Sequence, residues 1–480
     1  MKLPWGLLGF SGLLGLLAYT IFSFSLTAPN LILTGYEPYW QFQTWMWEHL
    51  FNNRQLLGQL FLALSLWLFG WYGLVILKLA DWQKSKREQA AKDKLSWQPI
   101  ALMVGLVLSG LVLASPALSY DVFNYIFNAK MVLYYEADPH TLTALDFAHD
   151  DWLRFMHNTH TPAPYGQGWT TLSLLPYWLG GGKFTLTLYL FKIFSLISLI
   201  LLALTYWWAN RHQQLSSASW WLALAVLLNP LLLIEVIGNA HNDLFMMVPA
   251  VVGLLVLVKR LEQISQGIKI ESRWSSNSLV IFSGLAMIGS VSIKLATITL
   301  APLWLWLVLL LVFHKLYAFI ARFTKAHRPT VAVGSWLSSL TLIWWPILAS
   351  LAMFIPLLTE RSKWFLPWYL IWSLVWLGFF RSSYPRTLPK FGYKSLQKSY
   401  LFLVKFADSF SLIWISYLLA ISASSFLRYF PALSQGGYSD EIIFQSRLIT
   451  WLGAVLLLPI CYALVRRSLK KLLEHETITN

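Results

Sequence analysis

The chain has 480 residues, 57% of them hydrophobic and only 12% charged, with a mean hydropathy of +0.57. Soluble domains carry about 25% charged residues, and apolar runs of about 18 residues or more recur here from end to end, which excludes a soluble globular protein. The net charge of +15 is no signal of nucleic-acid binding, because the basic residues crowd into short loops at 81–98, 259–273, 314–328, 381–398 and 466–471, a pattern of cytoplasmic loops.

Helical rather than β-barrel spans are expected, since a barrel would alternate polarity over short segments. Taken in chain order, the apolar runs predict an all-α polytopic membrane protein of about twelve transmembrane helices. They fall at 5–28, 57–80, 97–116, 184–208, 217–236, 244–258, 278–293, 296–313, 333–357, 364–380, 401–425 and 447–465, a single domain over 1–480 with both termini cytoplasmic. The first run follows Lys2 and shows no small-residue cleavage site, so it reads as a retained span. The stretch 278–313 has only 36 residues for two spans, so these are expected to be short or one of them broken. The single cysteine, Cys461, lies in the last run and permits no intramolecular disulfide.

Two longer segments fall on the other side. Residues 29–56 contain "YEPYWQFQTWMWEHLF", which suggests an amphipathic helix in the interface. Residues 117–183 hold six of the 21 acids and four of the ten histidines but only three basic residues, and 170–180 reads as an additional short or re-entrant helix. Within this loop Asp121, Asn124, Tyr125 and Asn128 fall at i, i+3, i+4 and i+7, one polar face of a helix at the outer interface. An acid that caps its own helix would account for Asp121 equally well.

Three further stretches reach the same side of the membrane. "NPLLLIEVIGNAHND" ends a span with Asn239, His241, Asn242 and Asp243, four polar groups that are costly between apolar helices unless they line a cavity or pair in a turn. "VSIKLATITLAPLW" sets Lys294 between two short spans, where a lysine either snorkels or works. "TERSKWFLPWYLIW" supplies Arg361 and Lys363 just before Trp368 and Tyr369, aromatics that also suit the interfacial belt. In combination, a carboxylate suits a general base, cations suit a leaving phosphate, and aromatic faces suit a sugar ring.

Five stretches, "SYDVFNYIFNAKMVLYYEADPH", "PAPYGQGWTTLSLLP", "NPLLLIEVIGNAHNDLFMMVPA", "SIKLATITLAPL" and "FLPWYLIW", resemble the multi-spanning glycosyltransferases of the GT-C class, particularly bacterial mannosyltransferases that use polyprenyl-phosphate mannose. The resemblance implies one inverting displacement at the anomeric carbon, with Asp121 as catalytic base and Lys294, Arg361 and Lys363 on the donor phosphate. His241 and Asp243 would line the sugar or acceptor pocket, and the polar and aromatic residues Asn124, Tyr125, Asn128, Tyr165, Asn239, Asn242, Trp368 and Tyr369 are the other candidates for it. The hexose implied is mannose, its acceptor a lipid, glycan or protein hydroxyl, with membrane lipids as surroundings, no nucleic acid, and no cofactor beyond the lipid-linked sugar. The location implied is a bacterial cytoplasmic membrane, multi-pass, with the active site facing outside. Asp138-Pro139-His140 and Tyr165-Gly166-Gln167 depart from the class's Asn-Pro-Tyr and Tyr-Gly-Pro, and the acid follows the third span where the class has it after the first.

Two rival readings use the same composition. A secondary transporter or lipid flippase suits twelve spans, although its substrate site would sit at the midplane on paired repeats. An O-antigen-ligase-like enzyme with a diphosphate donor would place more arginines at the outer face. No metal is expected: His157 and His160 are three apart in a polar loop, but with His149, Asp150 and Asp151 they match no strong metal spacing. Glycines 180–182 read as a turn, with no lysine–hydroxyl pair to make a phosphate loop.

Overall fold

The computed structural model describes residues 4–27, 35–89, 110–211, 217–265, 276–320, 328–359, 365–380 and 394–473. Among these the regular structure is helical, with no strand. Eight helices are long and apolar enough to cross a membrane: Trp5–Leu26, Arg54–Trp82, Phe184–Asn210, Asp243–Ser265, Leu295–Tyr317, Val333–Leu358, Lys394–Gln435 and Asp440–Leu472. A ninth candidate is the pair Ser219–Leu227 and Pro230–Gly238, bent by 47°. The expected spans at 278–293 and 364–380 are the shorter helical segments Asn277–Ile293 and Pro367–Phe379. Most of the expected third span, 97–109, lies outside the described residues. Among the described residues, then, eight helices, or nine with the bent pair, are long and apolar enough to span, where twelve are expected over the whole chain.

The breaks have local causes. Pro230 opens the second half of the bent pair, where its missing N–H costs nothing, and Asn229 caps it by accepting from the Leu231 amide at 3.0 Å. Lys294 is extended (φ −145°, ψ 132°) between the helix Ser276–Ile293 and the 3₁₀ turn Leu295–Leu300, so the crowded stretch 278–313 holds both a short helix and a break. Small and hydroxyl residues then let the helices close up, as they do where lipid gives no hydrophobic drive. The Ser283 hydroxyl donates to Gly253 O at 2.6 Å and Ser290 to Met246 O at 2.7 Å, tying Ser276–Ile293 to Asp243–Ser265.

The apolar part of Asp243–Ser265 is 72% buried, against 17% for Asp440–Leu472, so the former is central and the latter peripheral. The segment 29–56 contains the helix Glu37–Met46, continued by a π-turn at Trp47–Phe51, with Trp40 and Trp45 exposed as an interfacial helix requires. Gln167–Leu179 is the additional short helix, and Gly181 and Gly182 (φ 54° and 75°) form the turn after it.

The helix Asp121–Tyr134, expected at the outer interface, is packed on both faces: every residue from Val122 to Ala129 is buried, against Gln167–Leu179 and Phe184–Arg211. Its far end is pinned by Asp150, whose carboxylate takes the Lys130 ammonium at 2.5 Å, the Tyr135 hydroxyl at 2.8 Å and the Trp152 amide at 2.8 Å. Burial opposes the charge on Asp150, but these donors win and hold its carboxyl below the usual carboxylate range.

Candidate active site

The polar site is built where the bent pair meets the central helix. A π-turn at Ile234–Gly238 ends the pair, and Ala240 follows with φ 56°, a left-handed conformation that costs an alanine about 1–2 kcal/mol. That reversal points His241, Asn242 and Asp243 back into the protein, and all three are wholly buried. Backbone strain and π-turns of this kind gather where a site over-determines its geometry.

Asp121 faces this turn from the start of its helix. It is not the cap: Tyr120 occupies that position with no side-chain cap bond, and the Asp121 amide donates to Ser119 Oγ at 3.3 Å. Its carboxylate instead lies 3.5 Å from His241 Nδ1 and keeps 19% of its side-chain surface exposed. Asp243 is in the opposite situation. Its Oδ1 accepts from the Lys294 ammonium at 2.9 Å and from Trp372 Nε1 at 2.5 Å, and none of its side chain is exposed. Two carboxylates in one site thus have different environments, one open and one neutralised.

Aromatic rings wall the nest. Lys294 Nζ lies 5.5 Å from the Tyr165 ring centroid, 6.0 Å from Tyr369 and 5.9 Å from Trp372, so rings surround the ammonium. The Trp368 indole stacks on His241 at 4.0 Å, and Tyr125 meets Tyr165 edge-on at 4.9 Å. Burial first, then the charge of Asp121, raises the Tyr165 phenol well above its usual range, so its hydroxyl stays a proton donor. The same two causes in the same order, with Asp243 adding, raise Tyr125.

Asn124 Oδ1, Trp169 Nε1, Asp243 Oδ2 and both amide atoms of Asn242 are buried without a hydrogen-bond partner among the described residues. Each such group costs about 1–3 kcal/mol when unsatisfied, and clustered donors and acceptors of both kinds suit a polyhydroxylated ligand. Asn128 is buried one turn further along the helix from Asn124. Asn239 is committed elsewhere: its amide donates to Glu235 Oε2 at 2.7 Å and its oxygen accepts from the Leu118 amide at 3.3 Å. Arg361 and Lys363 lie outside the described residues. Of the loop histidines, His157 stacks on Tyr120 at 4.0 Å, and no group of three possible metal ligands occurs among the described residues.

Four participants escaped the sequence reading. Glu235, wholly buried, lies 3.4 Å from His241 Nε2 and accepts the Tyr429 hydroxyl at 2.9 Å. Trp372 holds Asp243. Lys192, also wholly buried, donates to Gly238 O at 2.6 Å and to Ala114 O, stapling the approach to Asp121 onto the π-turn. A lone charge inside an apolar run signals Glu235 and Lys192 as it does Lys294. Tyr429 and Trp372 carry no such mark.

A family model described as alpha-(1->6)-mannopyranosyltransferase, N-terminal domain, matches residues 21–310, which include Asp121, Tyr165, Glu235, the His241–Asp243 turn and Lys294. Over 166 residues the chain is 32% identical to alpha-(1->6)-mannopyranosyltransferase A of Corynebacterium glutamicum, a stretch covering 31% of this chain and 30% of that relative's length. No solved structure matches the chain. With well over half of its length matched, and the polar nest inside the match, the chain belongs to the alpha-(1->6)-mannopyranosyltransferase family.

Proposed function

We propose that the protein transfers a mannosyl residue from a polyprenyl-phosphate donor to a hydroxyl of a mannose-containing glycan, in a single inverting displacement at the outer face of a bacterial cytoplasmic membrane. The topology that goes with this is twelve spans with both termini inside. One observation carries the reading: an open carboxylate, Asp121, stands at the edge of a buried polar nest whose second carboxylate, Asp243, is already held by a lysine. A carboxylate free of a strong cation is the one able to take a proton from the acceptor hydroxyl. Inversion that delivers the α linkage of the family description requires a β-linked phosphate donor.

The charge balance of the nest supports a phosphate contact beyond Lys294. Asp121, Glu235 and Asp243 outweigh Lys294, so a phosphate needs further cations, and Arg361 and Lys363 stand directly before the stretch that carries Trp368, Tyr369 and Trp372. Aromatic walls around the ammonium then exclude water and strengthen the attraction. The test is a mannose-transfer assay of purified protein in lipid, with polyprenyl-phosphate mannose and nucleotide-linked mannose offered separately. Transfer to an oligomannose acceptor from the lipid donor alone is the expected result. Transfer from the nucleotide donor, or consumption of neither, defeats the proposal.

The Tyr165-Gly166-Gln167-Gly168 stretch gives a second check. A Cβ on Gly166 would meet Ser292 O at 2.0 Å, because the Gly166 amide donates to Ile293 O at 2.9 Å immediately before Lys294. Gly166→Ala must therefore push Tyr165 and Lys294 apart. A displacement of about 1 Å costs on the order of 10²-fold in positioned catalysis, and a loss of at least ~10-fold in kcat/KM is expected in protein that remains folded.

A further inference from the structure

The transfer scheme leaves one buried acid unused. Glu235 Oε2 accepts the Asn239 amide at 2.7 Å and Oε1 the Tyr429 hydroxyl at 2.9 Å, so its oxygens are satisfied before any other group is considered. Yet His241 Nε2 also lies 3.4 Å from Oε2, while the other ring nitrogen, Nδ1, lies 3.5 Å from Asp121 Oδ2. One imidazole lies between two carboxylates with neither ring nitrogen hydrogen-bonded to a described residue in this state, so both links must tighten for a proton to pass, and its plane is held by the stacked Trp368 indole. His241 and Glu235 are wholly buried and Asp121 is not, so of the three only Asp121 reaches an acceptor. A carboxylate this deep is costly, and a purely structural anchor has no need of its charge.

Resting on Asp121 as the base, we infer that His241 and Glu235 form a proton relay behind it, two positioning residues that draw away the proton Asp121 receives. The acceptor O–H bond breaks as its oxygen bonds to the anomeric carbon, and the carbon–oxygen bond to phosphate breaks with its electron pair leaving on the phosphate. The proton passes from Asp121 to His241 Nδ1 while the Nε2 proton passes to Glu235. One proton is thereby stored on the buried acid, and it returns by the same line to water through the exposed edge of Asp121 once product has left. The charged and titratable groups facing this line are Asp243, 4.0 Å from Nδ1 and held by Lys294, with Tyr125, Tyr165 and Tyr369 beside Asp121, and Tyr19 and Tyr429 beside Glu235. Tyr429 and Tyr19 come from helices far from the turn in sequence, and the Tyr429 hydroxyl ties Glu235 to its helix.

The experiment is single-turnover mannose transfer by the full chain in lipid, from short-chain polyprenyl-phosphate mannose to an α-1,6-linked mannose disaccharide, in mixtures of H2O and D2O. The wild-type rate is expected to fall along a curve as deuterium rises, the mark of more than one moving proton. Glu235→Gln is expected to lose about 10- to 100-fold in the chemical step with donor KM unchanged, and its deuterium plot to become a straight line. A merely structural role for Glu235 would not change the shape of that plot. A straight wild-type plot overturns the relay whatever the variants do, and so does a Glu235→Gln protein with wild-type rate and curvature. Asp121→Asn separates the two failures: full turnover there removes the base reading, whereas loss there beside an unaltered Glu235→Gln removes the relay alone.

Discussion

Asp121→Asn is expected to lower the chemical step of mannose transfer about 10²- to 10⁴-fold while the protein stays folded and still binds donor. The substitution keeps the shape of the side chain and removes only its ability to take a proton. No cap bond is lost, because the side chain makes none and the helix starts on Tyr120. What folding loses is the attraction of a charge at a helix N-terminus, about 0.3–1 kcal/mol, too little to unfold a bundle of this size. The contrast with Asp243 makes the assignment specific, since that carboxylate is tied to Lys294 and Trp372 and is closed to any acceptor. Single-turnover rates and a thermal midpoint, measured on the same preparation, check both halves. A folded Asp121→Asn protein within tenfold of wild-type turnover would end the case for this base.

Much of that case was legible in the sequence, for physical reasons. Lone polar groups in apolar runs are costly, so Asp121, the His241–Asn242–Asp243 group and Lys294 stand out without any coordinates, and the structure brings them within one nest. Helical spacing correctly set Asn124 and Tyr125 on the face of Asp121, but it could not reveal that the opposite face is buried too, because apolar residues serve a lipid interface and a protein interior alike. The number of spans was less legible: eight or nine of the twelve expected stand as helices long and apolar enough to cross among the described residues. Asn277–Ile293 and Pro367–Phe379 are shorter apolar helices, and most of the expected third span lies outside the described residues, so apolar composition alone did not tell a full crossing from a shorter helix. Trp372 and Tyr429 were hidden because an indole N–H or a phenol in an apolar run looks like any belt aromatic until its partner is seen. Asn239 illustrates the reverse: it reads as a pocket residue, yet both ends of its amide brace Glu235 and Leu118.

Lys294→Met should cost two things, and a second substitution separates them. In the wild type the ammonium lies 2.9 Å from an Asp243 carboxylate with no exposed side-chain surface. Removing it leaves a buried charge with only the Trp372 N–H for compensation, a loss of roughly 3–5 kcal/mol for a broken buried pair. Adding Asp243→Asn takes away the uncompensated charge, and most of that stability is expected to return, since a neutral pair of similar volume often matches a buried ion pair. Turnover is not expected to return with it. If Lys294 also meets the donor phosphate, the double variant still lacks the cation that balances the leaving group, and kcat/KM stays down about 10²-fold, the scale of one lost electrostatic contact in a water-poor site. Thermal midpoints and kcat/KM for the lipid donor, across wild type, both single variants and the double, complete the cycle. Recovery of stability and turnover together in the double variant would reduce Lys294 to a counter-ion for Asp243 and shift the whole phosphate contact to Arg361 and Lys363. Recovery of stability alone gives the lysine both roles, with Asp243 holding the ammonium among its aromatic rings until a phosphate arrives to share it.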